Sequence, residues 1–148
     1  MLFDLHRETL TYRLGVIDHH NSDKGLAYVA FAVGEGVPLH YRQFRDISDQ
    51  RPGDIVEVGL IAGDGRPMHW RPAQDQNMPD FLTRMCGQLM KLADKPYGFI
   101  FDEGGRRAFV PPALMNQIRQ QASNSVVAHV ILDKDKRGSP SWRALRIE

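Results

Sequence analysis

Between Lys95 and Pro112 the sequence sets Tyr97, Phe99, Phe101 and Phe109 beside a pair of arginines, Arg106 and Arg107. Flat aromatic faces accept a stacked ring, and guanidinium groups hold phosphate oxygens. These residue types together suit one single strand of nucleic acid, whose unpaired bases stack while cations hold its backbone. The run Tyr97-Gly98-Phe99-Ile100-Phe101 alternates large and small, so an extended chain turns Tyr97, Phe99 and Phe101 to one side. Asp102-Glu103-Gly104-Gly105 is a turn, Phe109 opens the returning strand, and Pro111-Pro112 ends it for want of a backbone N–H. The competing reading is a core. A small barrel buries one face of every strand, and on that ground Phe101 and one other of the four are expected inside, against the reading in which Tyr97, Phe99 and Phe109 form an exposed platform. Arg106 and Arg107 could equally be a solvated hairpin tip. Lys134, Lys136 and Arg137 form a second basic loop, and two such loops flanking one aromatic face say more than either alone.

Other chemistry is poorly provided for. His19 and His20 are adjacent, so on a strand they point oppositely and share one ion with difficulty. His40 and His69 could approach one of them, but no cysteine or glutamate completes a ligand spacing, so no metal and no cofactor are expected. Cys86 precedes Gly87 in an apolar stretch and reads as a small core residue. No nucleophile–base pattern, phosphate-binding glycine loop or carboxylate pair is present, and the chain is expected not to be an enzyme.

The 148 residues suit one domain or two very small ones, and a 42% hydrophobic fraction is that of an ordinary globular chain. No stretch approaches the ~18 apolar residues of a membrane span. The opening Met1-Leu2-Phe3-Asp4-Leu5-His6 turns charged too soon for a signal peptide. The single cysteine excludes an internal disulfide and fits a reducing compartment, so a cytoplasmic location is expected. The net charge of +1 is unevenly divided. Residues 1–75 carry 8 Lys/Arg against 11 Asp/Glu, and residues 76–148 carry 11 against 7. The second half is therefore the better electrostatic footprint for a polyanion.

The elements that must position these residues are short strands. Thr11–Ile17, Leu26–Val33, Val37–Tyr41, Ile55–Ile61 and Pro67–Arg71 alternate and are separated by turn signals, among them the polar run from His19 to Gly25. Residues 1–9 read as a lead-in, residues 43–50 as a connector and Pro72–Pro79 as a linker. Phe81, Met85, Leu89, Leu92 and Ala93 fit a helical face, although Gly87 would weaken a helix by about 1 kcal/mol. A partial internal repeat favours a strand instead. Thr11–Ile17 resembles Thr83–Leu89, with Gly15 and Gly87 in step and Tyr28 and Phe99 each on the second strand. A short helix at Ala113–Gln121, then strands at Ser125–Leu132 and Ser141–Ile147, complete a second set.

In this order the motifs resemble the cold-shock domain, an OB-fold barrel. Gly15-Val16-Ile17-Asp18-His19-His20-Asn21 and Lys24-Gly25-Leu26-Ala27-Tyr28-Val29 are similar to that family's opening strands, and Val37–Tyr41 and Pro52–Val58 to segments that follow. Tyr97-Gly98-Phe99-Ile100, Phe109-Val110-Pro111-Pro112 and Asp135-Lys136-Arg137-Gly138 resemble the cold-shock domains of ribonuclease R-type exonucleases. The catalytic acidic domain of those enzymes has no counterpart, so nuclease activity does not carry over. The resemblance implies an all-β fold of two tandem five-stranded OB-fold, cold-shock-like barrels with short connecting helices, residues 1–73 and 74–148. It also implies single-strand binding through Lys95, Tyr97, Phe99 and Phe109 in the second half, and through Lys24, Tyr28, His40 and Tyr41 in the first. The first half departs from the pattern. Asp18 replaces a cation, His19 and His20 replace an aromatic pair, and Leu26 and Pro38 replace stacking rings. Pro111 and Pro112 depart similarly in the second.

The expectation is therefore a binder of single-stranded RNA or DNA, RNA preferred, with little sequence specificity. The second half would do most of the binding, with Arg106, Arg107, Lys136 and Arg137 on the phosphates. The alternative is a protein-interaction module in which the acidic first half docks a protein partner. No membrane partner is expected.

Overall fold

Alternation along the chain becomes two compact units, residues 1–79 and 80–148, in a computed structural model that describes residues 9–74, 78–118 and 123–148. Most of the expected lead-in, the middle of the expected linker and the end of the expected helix lie outside the described residues.

The first unit holds β1 (Leu10–Asn21), β2 (Leu26–Ala32), β3 (Glu35–His40), a 3-10 turn (Arg45–Asp49), β4 (Ile55–Ile61) and β5 (Pro67–Pro72). Its sheet runs in the order β3-β2-β1-β4-β5 with antiparallel neighbours throughout. Ile17, Val29, Leu39, Ile47, Val56 and Val58 are wholly buried on the concave side, and the 3-10 turn supplies Ile47 to that core.

The second unit holds β6 (Leu82–Lys91), β7 (Gly98–Asp102), β8 (Arg107–Val110), α1 (Pro112–Ile118), β9 (Ser125–Lys134) and β10 (Pro140–Ile147). It closes as a barrel in the order β10-β8-β7-β6-β9. The closing seam is a parallel pairing, the one such pairing among the described residues, with Trp142 beside Ala108 and Arg143 beside Phe109. Pro112 opens α1, where its missing N–H costs nothing, and Met115 donates to the Pro111 carbonyl. The helix sends Leu114, Met115 and Ile118 into the core of Met85, Leu89, Ile100 and Val130. Gly98 makes room for it, since a Cβ there would stand 2.9 Å from the Met115 sulfur.

Four expectations change. The first unit is a curled, unclosed sheet rather than a second barrel. It has the strand order of the second, but the β3–β5 seam is missing. Pro38 on β3 and Pro67 and Pro72 on β5 place residues without an N–H on the two strands that would have to pair. The His19–Gly25 turn shrinks, because β1 continues to Asn21 past a register shift between Ile17 and His19 that lets His19 pair with Tyr28. Cys86 is exposed, not core, since on β6 it alternates with the inward Met85 and Gly87. The last change, to Phe101, belongs with the site. Where a helix competed with a strand at residues 82–91, the structure has a strand paired on both sides, with β7 and with β9. Among the described residues no helix is long and apolar enough to cross a membrane.

Candidate nucleic-acid interface

The outer face of the second unit is built by parity. On β7, Gly98 and Ile100 point inward and are buried, so Phe99 and Phe101 point outward. On β8, Ala108 and Val110 point inward and Arg107 and Phe109 outward. The register then sets Phe99 opposite Phe109 and Phe101 opposite Arg107. Phe101, expected in the core, therefore shares the outer face. Its ring centre lies 6.3 Å from that of Phe99, and the barrel core takes Ile100 in its place.

Three rings form one continuous patch. The Tyr97 ring centre is 5.8 Å from that of Phe99 and 5.4 Å from that of Phe109, and Phe99 and Phe109 are 6.0 Å apart. All three are half-buried. Edge-to-face and tilted contacts among them hold the patch rigid. Met90, exposed on β6, pairs with Phe99 and extends its apolar border.

Cations stand at both ends. The guanidinium of Arg107 lies over the Phe99 ring at 4.8 Å. Arg106 is tied down by its own turn. Its backbone N–H and its Nε each donate to the Asp102 carboxylate at 2.7 Å, and the Arg106 side chain so bonded holds the Asp102 carboxyl below its usual range. Gly105, with φ at 85°, supplies the left-handed residue this turn needs. Because β8 and β10 run parallel, the β9–β10 turn with exposed Lys136 and Arg137 lies at the same end of the seam. There Asp135 Oδ1 accepts the N–H groups of Arg137 and Ser139. Lys95, exposed in the β6–β7 turn, marks the opposite end beside Tyr97.

Arg143 was not among the residues expected here. It sits directly across the parallel seam from Phe109, with its Nη2 3.1 Å from Asp133 Oδ2. Its alternation with the core-packed Trp142 was the available signal, but only the seam shows which strand it faces.

The first unit brings together fewer of its expected residues. Tyr28 points outward and stacks on His19, with ring centres 5.6 Å apart and planes 16° apart. His19, which appeared in the sequence as a lost ring, is thus part of a two-ring platform. His40 is exposed on β3 opposite Leu26, and Lys24 is exposed in the β1–β2 turn with its N–H on Asn21 Oδ1. Tyr41 is withdrawn from any such face. His20 donates from Nε2 to the Gln50 carbonyl, so in its neutral form its Nδ1 accepts the Tyr41 hydroxyl at 2.6 Å. Burial pushes the Tyr41 phenol up, and its ring packs against the core of the unit. Among the described residues no group of three or more His, Cys, Asp or Glu is placed to hold a metal ion.

Residues 83–147 match the family model for the S1/CSD-like domain 2 of the TOTE conflict systems. No curated protein matches the chain. The match spans the closed barrel from early in β6 to the end of β10, so the second unit is similar to an S1/cold-shock-like, OB-type domain.

Proposed function

We propose that the chain binds single-stranded nucleic acid, RNA in preference to DNA, on the outer face of β7 and β8, and acts as a binding protein rather than an enzyme. Bases stack on Tyr97, Phe99 and Phe109 while Arg107, Lys95, Lys136 and Arg137 meet the phosphates. The observation that carries this reading is the mutual contact of three half-buried rings on the outer face, with the Arg107 guanidinium over Phe99. Domains of the S1/cold-shock type bind single strands, and the match over residues 83–147 supports the same use here. Stacking tolerates any base, so little sequence preference is expected. The first unit contributes the smaller share, because it offers one stacked His19–Tyr28 pair and has Tyr41 engaged elsewhere.

The test is fluorescence anisotropy of a mixed-sequence RNA of ~12 nucleotides, within the site sizes of such folds. It is run at low and at physiological salt on the intact chain. Binding that weakens with salt and falls in Phe99→Ala supports the reading. No binding at low salt refutes it.

A further inference from the structure

An open groove of about 880 Å³ lies on the second unit beside the aromatic patch, walled by β6, the β7–β8 turn and the start of β9. Its volume is within the roughly 300–1,000 Å³ typical of small-molecule sites. Phe101 forms one wall, and its ring is in contact with Phe99. Arg84 and Arg106 stand on the rim, each already oriented by an acid. Arg84 donates from Nε and Nη2 to Glu148, and Arg106 donates from Nε to Asp102. These bonds leave Nη1 of Arg84 and both Nη groups of Arg106 outside them. Gln88 and Ser125, both exposed, also line the groove, where the amide donates to the hydroxyl at 2.8 Å.

We infer that this groove is a nucleotide subsite, taking one residue of the single strand that stacks on the neighbouring rings. The inference rests on the proposed function. A base leaving Phe99 meets Phe101 next, so the strand continues into the groove without a break in stacking. The Gln88 amide oxygen and the Ser125 hydroxyl offer hydrogen bonds to a base edge or a ribose hydroxyl. The oriented guanidinium groups take the flanking phosphate, with planar donors on a fixed stem. Glu103 also lines the groove and makes it unattractive to a free anion. The preferred ligand is one that brings a ring and hydroxyls along with its phosphate. Single-strand readers gain selectivity in this way, by hydrogen-bonding a base edge that stacking alone leaves unread.

Cys86 opens into this groove and is the chain's single cysteine, which makes the subsite directly observable. The rate at which Cys86 reacts with a chromogenic disulfide reagent is measured on the intact chain, with and without saturating ~12-nucleotide RNA. Cys86→Ser serves as the blank. Bound RNA is expected to slow the reaction about fivefold or more, following the unbound fraction of protein. In a second measurement, Gln88→Ala is expected to weaken binding of the ~12-nucleotide RNA several-fold while leaving a ~4-nucleotide RNA, short enough to sit on the rings alone, unaffected. RNA that binds by anisotropy yet leaves both the thiol rate and the Gln88→Ala affinity unchanged would overturn the subsite and leave the aromatic interface standing. Absence of RNA binding at low salt overturns both.

Discussion

The guanidinium of Arg107 lies 4.8 Å from the centre of the Phe99 ring, across the β7–β8 ladder. Arg107 pairs with Phe101, so Phe99 is its diagonal neighbour on the same outward face, within reach of a long side chain. The contact holds a cation over the central ring of the aromatic patch.

Phe99 is the central ring, in contact with Tyr97, Phe101, Phe109 and Arg107. Phe99→Ala should weaken single-strand binding by about 1–3 kcal/mol, whereas Tyr28→Ala should have the smaller effect. Anisotropy titrations of the two variants side by side check this. Equal losses would show that the second unit does not dominate.

Arg107→Ala should lower affinity and reduce the slope of log affinity against log salt by about 1, the signature of one lost phosphate contact. Arg107→Lys keeps the charge but loses the planar group that lies over the ring, so it should recover the salt slope more fully than the affinity. Titrations at several salt concentrations distinguish these outcomes.

His129 makes the stability of the second unit depend on pH. Its Nε2 is 3.1 Å from Glu148 Oε2, while its buried Nδ1 has no hydrogen-bond partner among the described residues. Burial first, and then the charge of Arg146, lowers the His129 pKa from 6.5, in spite of Glu148. A lowered pKa means that the unfolded chain takes up the proton first. Stability is therefore complete above about pH 6.5 and declines as the pH falls through that value toward the folded pKa. Thermal melts at pH 7.5 and pH 5.5 should show the drop, and His129→Gln should flatten it. Glu148 acts in a lower window. The hydrogen bond from Arg84 holds its carboxyl down at about 2, so its contribution is present above about pH 4.5 and fades below it.

Gly87 lies where β6 meets β7. A Cβ on it would stand 2.3 Å from the Phe101 carbonyl oxygen, a backbone atom that cannot swing aside. Gly87→Ala should destabilise the chain by about 1–3 kcal/mol, as overpacking does. A fall in the melting temperature of several degrees is the expected readout.

Strand alternation was legible in the sequence because it depends on neighbours two residues apart. The grouping of Phe99 with Tyr97 on one side and of Gly98 with Ile100 on the other follows from the pleat alone. So does the opposite orientation of His19 and His20. The repeat of Gly15 and Gly87 similarly favoured a strand at Met85–Leu92 where helical spacing competed, and the structure starts it three residues earlier, at Leu82. The position of Phe101 was misjudged because the expected need for a large core side chain was set above parity, which already grouped Phe101 with Phe99; which of the two faces meets the core lies outside what parity says. That was decided by α1, whose Met115 plugs the barrel on the side of Gly98 and Ile100 and turns the phenylalanines out.

What only the tertiary structure decided is long-range. Two units with the same strand order end differently, one closed through the β8–β10 seam and one without the counterpart pairing of β3 with β5. That same seam brings Arg143 to Phe109 and the Lys136–Arg137 turn to the end of the aromatic face. The register shift in β1 puts His19 on Tyr28, and the fold around Gln50 takes Tyr41 away. Local residue types determined which strands form and what chemistry their outer faces can carry. Pairing between residues far apart in the chain determined which of those faces come together, since register and closure depend on hydrogen bonds that no local pattern specifies.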